Sequence, residues 1–247
     1  MSNQLTGKVA IVTGGSRGIG AAIVERLAKD GADVAFTYAR NKAQAQEVAA
    51  RVEALGCRVF AIQADSADAE QVKTAIDKTV ETLGRLDILV NNAGVLHVGP
   101  IEEFTLEALD HTLAVNVRAV FVASQAAAKH MNQGGRIITI GSCNADRMPM
   151  AGGTAYAMSK SAIVGLVKGL ARDLGPRGIT VNNIQPGPID TDMNPADGDL
   201  AEIGLPLLAV GRYGQANELA SFASYLASPE AGYITGASLT ADGGFTA

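Results

Sequence analysis

Lys8-Val-Ala-Ile-Val-Thr13-Gly14-Gly-Ser-Arg-Gly18-Ile-Gly20 is the stretch that decides the fold. Its first half is short, apolar and β-branched, which reads as a buried parallel strand. Its second half is a glycine-rich turn. A helical pattern then runs from about Ile19 to Asp30, with Ile23, Val24 and Leu27 on its inner face. Strand, glycine loop and helix in succession suit a nucleotide phosphate. Glycines let the backbone turn tightly and approach closely, and the helix N-terminus offers free N–H groups and a positive dipole end. Gly14, Ser16, Arg17, Gly18, Ile19 and Gly20 are therefore cofactor candidates. The spacing is Gly-x-x-x-Gly-x-Gly, not the Gly-x-Gly-x-x-Gly of the commonest dinucleotide fold.

A second stretch carries chemistry. Tyr156-Ala-Met-Ser-Lys160 places a phenol and an ammonium about one helical turn apart on one face. A phenol of pKa about 10 is a poor base near neutral pH but a usable acid. A neighbouring ammonium favours the phenolate, so Lys160 is expected to lower the Tyr156 pKa. Gly141-Ser142 stands upstream, after the apolar run Gly135–Ile140.

Composition narrows the alternatives. The chain has 247 residues, 47% hydrophobic and 18% charged, enough for one α/β domain with a large core. A net charge of −5 argues against a nucleic-acid surface. No apolar run reaches the ~18 residues of a membrane span. The polar start, Met1 to Lys8, lacks a signal-peptide core, so a cytoplasmic location is expected. Two cysteines, Cys57 and Cys143, and three histidines give neither a disulfide framework nor zinc spacing, so no metal is expected.

Further motifs follow in order: Asn91-Asn-Ala-Gly94 after a fourth strand, Ser142 after a fifth, Tyr156-x-x-x-Lys160, and Pro186-Gly187 after a sixth. With Thr13-Gly14-x-x-x-Gly18-x-Gly20 this set resembles the short-chain dehydrogenase/reductases over essentially the full chain. The resemblance implies an α/β architecture: one Rossmann domain, residues 1–247, with a doubly wound seven-stranded parallel sheet flanked by helices. It implies that Asp65, with Ser66 beside it, meets the adenine and that Asn92, Ala93 and Gly94 border the cofactor, Asn91 being structural. Pro186, Gly187, Ile189 and Thr191 match the nicotinamide end. It also implies a catalytic set: Tyr156 as acid/base, Ser142 on the carbonyl oxygen, Lys160 on the ribose, and Asn116 holding a relay water and bending its helix. A homotetramer through the helices of Asn116 and Tyr156 belongs to the same resemblance.

The second strand ends in Thr37-Tyr38-Ala39-Arg40-Asn41, where NAD-specific relatives usually carry an acid. Arg40, flanked by Tyr38 and Asn41, can meet a 2′-phosphate bidentately, with Arg17 as a second partner, so NADPH is expected over NADH. The interval from Ser142 to Tyr156 is one residue longer than in many relatives, which marks the loop through Arg147–Met150 as altered. Residues 190–211 are broken by Pro195, Gly198, Gly204 and Pro206 and read as a substrate lid, with Ile203, Leu205, Leu207 and Leu208 as an apolar wall.

The expected reaction is hydride transfer between nicotinamide and a small or medium ketone, keto ester or secondary alcohol. Reduction of 3-oxoacyl groups on an acyl carrier protein is the alternative. It is ranked lower because only Lys129, Arg172 and Arg177 offer basic contacts. Segments 142–149, 169–173 and 185–192 also resemble a bacterial relative that binds cyclic di-GMP, so a nucleotide-sensing role is kept beside the enzymatic one.

Overall fold

The structure is a computed structural model that describes residues 4–247. Met1–Asn3, the start of the polar N-terminal stretch, lie outside the described residues. Seven strands form one sheet: β1 (Val9–Val12), β2 (Asp33–Tyr38), β3 (Val59–Gln63), β4 (Ile88–Asn91), β5 (Arg136–Ile140), β6 (Thr180–Pro186) and β9 (Ser238–Ala241). Their order is β3-β2-β1-β4-β5-β6-β9, and every pairing is parallel. The order reverses between β1 and β4. An open parallel sheet parts its loops at such a point, at the carboxyl ends of the strands.

Both faces of the sheet are covered, which explains why its strands are apolar at successive positions rather than alternating. In β1, Ala10 and Val12 face one core, shared with Phe36, Ile88 and Ile184. Helices α1 (Gly18–Lys29), α2 (Lys42–Glu53) and α8 (Ala216–Ala227) cover that side. Val9 and Ile11 face the other core, under α3 (Ala69–Leu83), α5 (Ala119–His130) and α6 (Thr154–Leu174). Local signals set the helix ends. Asp68 accepts hydrogen bonds from the Glu70 and Gln71 N–H groups at the start of α3, and Gly84 closes it at φ 88°.

The helical stretch that holds Asn116 is interrupted. Helix α4 (Leu106–Leu113) passes through a π-helical turn, Ala114–Arg118, into α5. Asn116 sits in that turn, where a π-bulge re-aims the backbone.

The 190–211 segment is only partly irregular. It contains helix α7 (Asp199–Gly204) and a 3₁₀ turn, Leu205–Leu207. Two short strands, β7 (Ile189–Asp190) and β8 (Gly214–Gln215), pair in parallel at its base. The expected apolar wall is corrected here. Ile203 and Leu205 are 48% and 42% exposed, and Leu208 is buried in a small separate core with Cys143, Ala201, Tyr213 and Phe245. One helical turn of α7 separates Leu200 from Gly204, so those two share the inner side, and Ile203 is rotated away from it.

Candidate active site

The glycine loop, the ends of β4, β5 and β6, and the 190–211 segment enclose a cleft of about 630 Å³. It is built outward from the switch point. Gly14 turns the chain out of β1 at φ 66°, and its N–H donates to Thr37 Oγ1. Asn92 braces the same turn, its Nδ2 donating to the carbonyls of Thr13 (2.9 Å) and Gly14 (3.0 Å). A Cβ on Gly20 would fall 2.3 Å from the Gly14 carbonyl oxygen, so the start of α1 can close on the loop only as glycine. No side chain caps α1, and its first turn holds no acid. Its free N–H groups and positive end therefore fit an anionic group.

The other cofactor candidates fall along this cleft with one exception. Ser16, Arg17, Gly18, Ile19, Tyr38, Arg40, Asp65, Ser66, Ala93, Gly94, Pro186, Gly187, Ile189 and Thr191 all line it. Asn41 does not: its Oδ1 accepts from the Gln44 N–H and caps α2, the commonest use of asparagine at that position. Arg40 is exposed at the rim and forms no ion pair among the described residues. Arg17 lies 3.7 Å from Asp192, across the cleft mouth.

The reacting end is made by β5 and α6. Ser142 leaves β5 buried, with its Oγ accepting from the Asn144 N–H, and it shares a hydrogen bond with the Tyr156 hydroxyl. Lys160 is buried and donates to the Ile140 carbonyl at 3.1 Å. Its Nζ stands over the Tyr156 ring, 5.6 Å from the centroid. The expectation that Lys160 lowers the tyrosine pKa is corrected by this geometry. The ammonium lies over the ring, and burial dominates both groups. It raises the Tyr156 pKa, with the Ser142 hydrogen bond opposing, and it lowers Lys160 to about 8. The pair is therefore neutral tyrosine and weakly held ammonium.

Asn116 stands behind this pair rather than in the cleft lining. Its Oδ1 accepts from the Val95 N–H, and its Nδ2 donates to the Val95 carbonyl and to Ser159 Oγ. Gly94 lies beside both groups: a Cβ there would be in ordinary contact with Asn116 Oδ1 (3.5 Å) and Lys160 Nζ (3.7 Å). Asn91 is structural, buried and bonded to Ser124.

Several cleft residues were not singled out individually from the sequence: Met148, Met150, Met193 (inside the segment read as a lid), Asn144, Tyr213 and Phe245. They come from loops and from the C-terminal turn. Only the extra residue before Tyr156 pointed towards the first two. Cys143 lines the same wall, its thiol pushed up to about 12 by burial. Among the described residues, no group of three or more metal-ligating side chains is found, and no helix is long and apolar enough to cross a membrane.

Comparison with known proteins agrees with this site. A family model described as enoyl-(acyl carrier protein) reductase matches residues 14–246. A short-chain dehydrogenase/reductase of Serratia marcescens is 63% identical, with TM-score 0.97, over 99% of this chain and 100% of that one. A short-chain dehydrogenase of Burkholderia cenocepacia, solved in complex with NADP, is 56% identical, with TM-score 0.98 and the same coverage. The cyclic-di-GMP-binding biofilm dispersal mediator protein of Escherichia coli is 49% identical over 242 residues, 98% of each chain. A glycine loop at the switch point, the Ser142–Tyr156–Lys160 cluster and these matches together make the chain a member of the short-chain dehydrogenase/reductase family.

Proposed function

We propose that this protein is an NADPH-dependent carbonyl reductase, reversible as a secondary-alcohol dehydrogenase, acting on small or medium ketones or keto esters. The observation that carries the reading is the Tyr156 hydroxyl, hydrogen-bonded to Ser142 at the closed end of a cleft that begins in a glycine loop. Bound NADPH would supply the hydride to the carbonyl carbon. Tyr156 gives its proton to the carbonyl oxygen, and a pKa raised by burial keeps that proton in place until it is needed. Ser142 donates to the same oxygen and steadies its developing charge. Lys160 stabilises the phenolate left behind, and Asn116, 21 residues beyond its backbone partner Val95, fixes the wall beside Lys160. Arg40 at the open rim supports the 2′-phosphate of NADPH over the bare ribose of NADH.

Three further parts belong to the proposal. Residues 190–211 act as the lid. The protein works in the cytoplasm. It assembles as a homotetramer through the α5 and α6 faces, where Phe121 and Met158 remain exposed. The acyl-carrier alternative is weakened at Arg177, whose Nη2 is engaged with the Ala128 and Met131 carbonyls at the end of α5. A second reading is favoured by one finding, the 49% identical relative named for cyclic di-GMP binding. Its two phosphates would meet the same uncapped helix end and arginine rim.

Four measurements test these readings. In NADPH oxidation over a panel of ketones and keto esters, Tyr156→Phe should lower turnover about 10²- to 10⁴-fold while leaving NADPH binding nearly unchanged. Near-normal turnover would remove Tyr156 from the acid role. Arg40→Ala should weaken NADPH about 10-fold, the worth of a charge-assisted contact, and leave NADH alone. An equal loss on both cofactors would refute recognition of the 2′-phosphate. The pH profile follows from Lys160. Its lowered pKa leaves it charged below pH about 8 and neutral above, so kcat/KM for reduction should fall as pH rises through that value. A flat profile to pH ~10 would show that the ammonium is not required. Finally, cyclic di-GMP titrated against NADPH-loaded protein should leave NADPH emission unchanged if the cleft is a reductase site alone. Competitive displacement would support the sensing role.

A further inference from the structure

The substrate class of this cleft is written in its methionines, and the residue that controls them lies outside its lining. Met148 lines the cleft, half-buried, and its thioether rests on Gly153. An ideal Cβ on Gly153 would stand 1.7 Å from Met148 Cε and 2.8 Å from Sδ. Gly153 precedes α6 at φ −93°, ψ 11°, a conformation open to any L-residue, so its backbone does not require glycine. What glycine leaves free is the space that the Met148 thioether occupies. Gly153 is three residues before Tyr156, which puts the parked thioether beside the reacting end.

The loop that carries Met148 is pinned on both sides. The Gly99 N–H donates to the Gly152 carbonyl at 3.0 Å, and Gly152, at φ 84°, has Gly99 backbone within 3.2 Å of where a Cβ would sit. Arg147 Nη1 donates to the Phe245 carbonyl at 2.6 Å, and Ser161 Oγ donates to the Ala145 carbonyl at 2.9 Å. With the backbone held, a conflict at Gly153 is relieved by the side chain. Methionine has three rotatable bonds and adapts easily, so its open direction is the cleft. The cleft it would enter has Val98, Met150, Met193, Leu200 and Phe245 among its lining residues, with His111, Asn144, Asn194 and Tyr213 as polar members.

We propose that Gly153 is a specificity-determining positioning residue: by parking the Met148 thioether it opens an apolar lobe for carbonyl compounds bearing an aryl or similarly bulky group. This rests on the carbonyl-reductase reading of the site. The step itself is unchanged, hydride to carbon and the Tyr156 proton to oxygen.

The test compares acetophenone with butan-2-one in the full-length wild-type, Gly153→Ala, Met148→Ala and double-variant proteins. Gly153→Ala should lower kcat/KM for acetophenone about 10-fold or more, chiefly through KM, and change butan-2-one less than about 2-fold. Met148→Ala added to Gly153→Ala should restore acetophenone to the level of Met148→Ala alone. Equal losses on both ketones, or no rescue, would overturn the proposal. A second readout needs no turnover. In protein labelled with ¹³C at the methionine methyls, the Met148 signal, assigned by its loss in Met148→Ala, should move in Gly153→Ala and on adding acetophenone to wild type. If it moves while no ketone is reduced, the lobe stands and the reductase reading fails. If it ignores both, the lobe is refuted whatever the activity.

Discussion

The rest of the structure depends on how closely the first turn of α1 approaches the end of β1. Three chain segments meet there with no room for a side chain at Gly20. Its missing Cβ leaves space for both the Gly14 carbonyl and the Asn92 amide, which would stand 2.3 and 2.4 Å away. Thr13 completes the joint, its Oγ1 accepting from the N–H groups of Asn92 and Ala93. Buried backbone groups at a sheet's switch point must find partners, and here they find each other. The same closure turns the N–H groups at the start of α1 towards the cleft. Fold and binding surface are therefore one arrangement at this point.

Desolvation, more than charge pairing, sets the chemistry of the reacting end. Lys160 is buried with a backbone carbonyl as its partner and no carboxylate. Its ammonium is correspondingly destabilised, and the tyrosine it faces is held neutral. An acid that must keep its proton until a carbonyl arrives gains from that arrangement. A preformed phenolate would serve only the oxidative direction. Tyr156 hydrogen-bonds Ser142, Lys160 donates to the Ile140 carbonyl, and Asn116 is held by Val95 and Ser159, so these buried polar groups lie against other protein groups.

The sequence disclosed what periodicity and turn chemistry control. Strand β2, Asp33–Tyr38, and the Asp68 cap of α3 answer to local signals, a β-branched apolar run and an N-terminal aspartate. The clustering of Ser142, Tyr156 and Lys160 was legible because a fixed helical spacing and a strand end put them together. Asn41 caps α2, a use of asparagine after a strand that the sequence does not separate from ligand contact. The tyrosine shift was misjudged because a spacing of four residues fixes which face two groups share but says nothing of how deeply both are buried. The π turn at Asn116 was foreshadowed only as a bend, since a single inserted residue leaves the apolar pattern nearly intact.

The substrate half of the cleft was the least legible, for a physical reason. Its residues are joined by long-range packing that no local pattern encodes. The 190–211 segment rests on a small core in which Leu208 meets Cys143, Tyr213 and Phe245, residues from three distant parts of the chain. Arg147 fastens the same C-terminal turn through the Phe245 carbonyl and lies 6.0 Å from its ring. The loop after Ser142, the base of the 190–211 segment and the C-terminal turn are thus one packed unit. A change of length in any of them would be felt by the other two. The loop after Ser142 carries Met148 and Met150 into the cleft. Ser142, Tyr156 and Lys160 hang on the sheet, whereas this unit is anchored chiefly to itself, so local sequence patterns that report the sheet do not report it.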